Sequence, residues 1–174
     1  MHGIIFSQFN EFVTKNYNYD TLTAIKKDAG LAGKFHISTK SHPDEDILAL
    51  VTSACKLLKV NKEELLEGFG RFLAPGLLKT YNSYIETEWD CMDLIEHVEK
   101  TMHKVVRRTT PDASPPKLVI TREGPDEIIL DYTSERKMIS LGIGIIEAIG
   151  EHFKTKINIE KLPLKNGTRL KITR

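Results

Sequence analysis

Val105 to Ser134 reads VVRRTTPDASPPKLVITREGPDEIILDYTS, and a change of period inside it decides the fold. Before it, apolar residues recur at helical spacing: Met92, Leu94, Ile95, Val98, Met102, Val105 and Val106 form one arc of a helix predicted from Trp89 to Arg108. Pro111, Pro115 and Pro116 end that helix, because a proline lacks the amide proton and restricts the residue before it. After them the period drops to two. Leu118 and Ile120 alternate with polar residues, Gly124-Pro125-Asp126 makes a turn, and Glu127 to Ser134 alternates again.

Working towards the N-terminus, the pattern stays helical. Phe6, Phe9, Phe12 and Val13 share a face, and Tyr19 to Lys27 continues in the same style. Residues 31–40 form a connection. Ser41-x-x-Asp44 predicts a capped helix start carrying Ile47, Leu48, Leu50, Val51, Ala54 and Leu57. Asn61-x-x-Glu64 predicts another helix running to about Phe72, where Pro75 and Gly76 break the pattern. Towards the C-terminus, Met138 to Phe153 is an amphipathic helix. Two closing strands, Lys156 to Leu162 and Arg169 to Ile172, are joined through the hairpin signal Asn166-Gly167. The fold class is therefore α+β. A helical lobe over about 1–65 precedes a lobe over about 66–174 with helices and a four-stranded antiparallel sheet, within one domain 1–174.

Composition narrows the function classes. With 25 Lys+Arg against 24 Asp+Glu, the 174 residues exert no global pull on nucleic acid or acidic lipid. Cys55 and Cys91 lie far apart in apolar segments, which fits a reducing, cytoplasmic setting better than a disulfide framework. The opening residues have no signal-peptide core. The apolar stretch Ile139–Ile149 is too short for the ~20 residues of a membrane span. No G-x-S-x-G, P-loop or HExxH is present, so a small hydrolase or transferase is disfavoured.

Six histidines remain to be sorted. His97 and His103 lie roughly 120° apart on the helical wheel and cannot jointly chelate a metal from that helix. His97 falls roughly 60° outside the apolar arc, a solvated position, whereas His103 lies roughly 20° beyond its other edge, half-buried. Two readings stand for His103: a histidine hydrogen-bonded at the rim of a core, or the single protein ligand that a haem iron needs. On the second strand Ile128, Leu130, Tyr132, Ser134 and Arg136 share one face if the chain stays extended. Two hydroxyls and a guanidinium then emerge from an apolar face, a donor row suited to an acidic ligand. The alternative is a strand end turning into solvent.

Tyr132-x-Ser134-x-Arg136 resembles the Y-x-S-x-R pattern of the haem nitric oxide/oxygen binding (H-NOX) family. His103 is similar to that family's proximal histidine, Pro115-Pro116 to its proline pair, and Met1-x-Gly3-x-Ile5 and Phe69-Gly70-Arg71 to two further stretches. The likeness spans essentially the whole chain in order. It implies a haem b between the two lobes, with His103 on iron, the propionates at Tyr132, Ser134 and Arg136, and Pro116 and Ile5 packed on the porphyrin. It also implies no catalytic activity within the chain. Asp44 or Asp46 is a candidate to pair with Arg136 across the lobes.

The resemblance further sets gas selectivity. Oxygen-binding members carry a distal tyrosine backed by Trp and Asn, whereas the matching positions here are Leu141, Phe9 and about Leu73, none of which donates a hydrogen bond. Losing one such donor costs on the order of 1–3 kcal/mol, roughly tenfold to a hundredfold in affinity for oxygen. The implied ligand is nitric oxide, with carbon monoxide a further possibility. Signalling would follow from release of His103 and rotation of the lobes about Gly70 and Gly144; for Gly144, close helix packing is an equal reading. Output in trans, to a histidine kinase or a cyclic-dinucleotide enzyme, is implied by the family's stand-alone members. An oxygen-binding or haem-free regulatory domain of the same fold is the alternative.

Overall fold

The computed structural model describes all residues, Met1–Arg174. Four helices come first: α1 (Gly3–Asn16), α2 (Tyr19–Asp28), α3 (Asp44–Leu58) and α4 (Lys62–Thr80). The N-cap side chains do what their chemistry allows. Asn18 accepts from the Thr21 amide and Asn61 from the Glu64 amide, both at 2.8 Å. His2 opens α1 through Nδ1, which accepts from the Ile4 amide at 3.2 Å. The predicted Ser41 cap does not form: Pro43 is the N-cap of α3 with no side-chain cap, and Ser41 instead donates to the Asp112 carbonyl. Three acidic residues in the first turn of α3 serve its positive end in place of a cap.

The second correction is α4. It does not stop near Phe72 but runs through Pro75 to Thr80. Proline inside a helix costs about 3 kcal/mol. Beyond Pro75, Leu77 packs on one core and Leu78 and Tyr81 on the other, and this burial offsets the cost.

The predicted helix from Trp89 starts at an Asp90–Asp93 capping box as α5 (Cys91–His97), but it is not uniform. A π turn spans Glu99–His103, closed by the His103 amide donating to the Val98 carbonyl at 3.1 Å, before α6 (Lys104–Thr109) resumes α geometry. Strands β1 (Lys117–Gly124) and β2 (Glu127–Thr133), helix α7 (Ile139–His152), and strands β3 (Asn158–Leu164) and β4 (Gly167–Thr173) complete the chain. The sheet is antiparallel throughout in the order β1-β2-β4-β3. Ile128, Leu130 and Tyr132 occupy its buried face, as the period of two predicts.

Two cores result. One joins α1–α4 with Met138 and Leu141; the other joins α5, the sheet and the rest of α7. Helices α4 and α7 cross where they meet at backbone distance. A Cβ on Gly70 would lie 2.3 Å from the Leu141 carbonyl oxygen, and one on Gly144 would lie 2.0 Å from that of Glu67. Close packing at Gly144 is thus what the structure contains.

Candidate functional site

Between the cores lies a partly open cavity of about 230 Å³, 24 of its 31 lining residues hydrophobic. Packed interiors hold few voids larger than a water molecule. Left dry and closed, a cavity of this volume would cost about 5 kcal/mol at ~24 cal/mol per Å³, a large part of a domain's net stability. A chain that keeps such a space needs something to fill it.

His103, Tyr132, Arg136, Pro116, Ile5, Leu141 and Leu73 all line this cavity. Ser134, Phe9 and Gly144 do not. Strand β2 ends at Thr133, so Ser134 and Arg136 leave the shared strand face and enter a turn, where the Ser134 hydroxyl accepts from the Arg136 amide at 3.3 Å. The turn, not strand alternation, carries Arg136 back to the cavity. Phe9 is fully buried in the helical core, edge-on to Phe69 at 5.3 Å. Gly144 faces α4.

His103 reaches the cavity from the end of the π turn. Its Nδ1 lies 2.8 Å from Glu99 Oε2, and the other Glu99 oxygen takes the Arg107 guanidinium. Burial alone would raise the Glu99 carboxyl; hydrogen bonds from His103 and Arg107 outweigh it and hold the group below its ordinary value. His97, predicted to be solvated, is instead half-buried. Trp89 stacks on it at 4.5 Å, and its Nδ1 bonds the Asp93 carbonyl, so an aromatic neighbour shields a residue that the wheel alone left in water.

Arg136 ties the lobes together. Its side chain is 8% exposed and pairs with Asp44 at 2.7 Å, while its second nitrogen donates to the Ser114 carbonyl. The other Asp44 oxygen holds the Met1 ammonium at 2.6 Å. Burial raises the Asp44 carboxyl, but these two cations outweigh it and keep the group below its ordinary value. Asp46 is committed elsewhere, to Lys34 and His36. A parallel link joins His2 Nε2 to the buried Thr110 hydroxyl at 3.0 Å, just past the end of α6. Because His2 Nδ1 accepts the Ile4 amide, Nε2 carries the proton and donates to Thr110. The end of the His103 helix is thereby bonded to the start of α1.

Of the lining residues not singled out from the sequence, Tyr81 is the one with a phenol: it stands at the C-cap of α4, and burial pushes its hydroxyl pKa up. Its only sequence signal was a tyrosine beyond a proline-interrupted helix, which the expected stop near Phe72 hid.

The donor set fits a haem by its own chemistry. Two imidazoles line the apolar slot, but both ring nitrogens of His2 are engaged, by the Ile4 amide and Thr110, which leaves His103 as the available ligand; a phenol and a guanidinium stand on the same cavity where carboxylates would need partners. A family model described as Haem-NO-binding matches residues 2–161. The chain belongs to the Haem-NO-binding family. That family comprises haem-based gas sensors, related to the haem domain of soluble guanylate cyclases. The H-NOX protein of Shewanella oneidensis in its Fe(II)NO ligation state superposes with a TM-score of 0.90 at 20% identity, covering 100% of this chain and 98% of that one. The Fe(II) unliganded H-NOX protein of K. algicida gives 0.90 at 21% identity, over 99% and 96%. Among curated proteins, soluble guanylate cyclase gcy-32 of Caenorhabditis elegans is 34% identical over 91 residues, 52% of this chain but only 12% of the cyclase. The H-NOX fold is thus shared in full, while the cyclase likeness spans a small part of a much longer protein. No helix of this H-NOX chain is long and apolar enough to cross a membrane.

Proposed function

We propose that the cavity binds haem b and that the chain is a cytoplasmic, nitric oxide-selective sensor that signals in trans. Haem would be held through its iron by His103 and would supply a metal able to bind a diatomic gas. The observation that carries this reading is the convergence of His103, Tyr132 and Arg136 on one apolar cavity from three separate elements. His103 would be the iron ligand through Nε2, and Tyr132 and Arg136 would meet the propionates. Ser134 would act through the turn that its hydroxyl braces. Pro116, Ile5, Leu141 and Leu73 supply the apolar walls that exclude water.

Selectivity is read from the same walls. Leu141 and Leu73 line the cavity without a donor, and bound oxygen depends on a donor more than nitric oxide does. Tyr81 favours a second reading, oxygen binding, because a tyrosine also lines the cavity. For the output, release of His103 would free the helix end. Thr110 and His2 then pass that movement to α1, and the lobes turn about the Gly70–Gly144 crossing. The receiving protein would be a histidine kinase or a cyclic-dinucleotide enzyme, in keeping with the family resemblance. An absorption spectrum tests the reading directly. Purified protein should be red, with a Soret band that shifts with nitric oxide and not in air. A stable ferrous–oxy spectrum would refute nitric oxide selectivity, and failure to take up haem would refute the whole proposal. His103→Gly should lose haem and regain it with added imidazole, with signalling uncoupled.

A further inference from the structure

Glu99 opens the π turn and His103 closes it, so the carboxylate and the imidazole bracket one distorted turn of helix. Their contact is short and direct, Nδ1 to Oε2 at 2.8 Å. A carboxylate only accepts, so a proton sits on His103 Nδ1, and in the neutral ring required of a metal ligand Nε2 is the lone-pair nitrogen. Arg107 occupies the second Glu99 oxygen. The Glu99 side chain is 23% exposed and that of His103 20%, so water screens the contact only in part.

We propose that Glu99 is a positioning residue for His103: it fixes the ring's tautomer and orientation and strengthens its donation through Nε2, while Arg107 moderates that pull by sharing the carboxylate. A carboxylate behind a ligating histidine raises the basicity of the ligand, and such partners are typically worth roughly 10–100-fold in metal affinity or activity. Glu99 would therefore set how much a gas on the opposite face must do before His103 lets go. The threshold of the sensor then lies in the Glu99–Arg107 pair as well as in the apolar gas pocket. The inference rests on His103 being the haem ligand.

The test is the iron–histidine stretching band of the ferrous holoprotein, read by resonance Raman, together with the rate at which nitric oxide displaces His103. Glu99→Gln keeps the shape and an acceptor but removes the charge. It should lower the band frequency and speed displacement by roughly tenfold. Arg107→Met releases the carboxylate from its competitor and should move both readings the other way. Rescue towards wild type by Glu99→Asp would support the carboxylate itself as the cause, and an unmoved band in Glu99→Gln overturns the proposal. So does a shift of the same sign in Glu99→Gln and Arg107→Met, which would mark a merely structural disturbance of the helix. If His103→Gly leaves the spectrum unchanged, the ligand assignment falls first, so the two failures are distinguishable.

Discussion

Gly144→Ala should be among the most damaging single-methyl changes in this protein, and the structure says by how much. The added Cβ would sit 2.0 Å from the Glu67 carbonyl oxygen, whereas ordinary contact begins near 3.4 Å. Helix α7 must therefore move about 1.4 Å from α4 at this point. The obstructing atoms are backbone, with no rotamer to give way. Overpacking costs 1–3 kcal/mol, and a backbone obstruction belongs at the upper end, about 3 kcal/mol. For a chain of this length that is a loss of roughly 6–12 °C in Tm. Gly70→Ala meets the Leu141 carbonyl at 2.3 Å on the same crossing and needs about 1.1 Å of separation. Because one displacement makes room for both methyls, the double variant should cost clearly less than the sum of the singles. Gly142→Ala is the control: its Cβ would meet only the Ile139 side chain at 4.0 Å, so helix propensity leaves it neutral or stabilised by up to ~1 kcal/mol. Urea denaturation of the four variants measures the cycle. A Gly144→Ala cost below about 0.5 kcal/mol, or strict additivity with Gly70→Ala, would refute the backbone-contact argument.

Other outcomes are equally open to measurement. Haem binds the folded chain and not the unfolded one, so at about 1,000-fold over its Kd it should stabilise by about 4 kcal/mol and raise Tm by roughly 8–16 °C over the haem-free chain; differential scanning of the two forms checks it. Stability should fall as pH drops below about 6.5, because burial holds His2 and His36 below that ordinary histidine value in the folded state and the unfolded chain takes up protons first. His2→Gln and His36→Gln should flatten that slope between pH 7 and 5 in denaturant titrations. Leu141→Tyr should promote oxygen binding, read as a ferrous–oxy spectrum in air. Tyr81→Phe should leave the nitric oxide spectrum unchanged; if it abolishes an oxygen complex seen in the wild type, oxygen sensing is the correct reading. Arg136→Ala removes the tie to Asp44 and the proposed propionate partner, so haem should dissociate at least tenfold faster in a transfer assay to apomyoglobin.

How far the chain could be read depended on whether a feature is local. The period change at Thr110–Pro116, the Asn61 cap, the Pro125-Asp126 turn and the Asn166-Gly167 hairpin are short-range effects of sterics and hydrogen bonding, and the structure contains each where the residues predict it. Gly167 adds a contact invisible in sequence, since a Cβ there would lie 2.2 Å from the Tyr132 carbonyl oxygen beside the site. That His103 shares a space with Tyr132 and Arg136 was foreshadowed by a boundary histidine at a fixed distance from Tyr132-x-Ser134-x-Arg136, which is a linear pattern. Ser41 misled because a partner distant in sequence, the Asp112 carbonyl, took its hydroxyl, whereas His97 misled because a helical wheel omits the Trp89 ring that folds over it from just before the helix.

The amino-acid order by itself determined the elements, their order, and the residue types able to hold a haem, because periodicity and capping act over a few residues. Only the tertiary structure decided which of those residues share a space. It ran α4 through Pro75, inserted a π turn before His103, and bent Arg136 off the strand onto Asp44. It also brought Tyr81 to the cavity and took Phe9 away from it. These depend on burial or pairing between residues far apart in the chain, which no local pattern encodes; for Pro75 that burial offsets a local cost of about 3 kcal/mol.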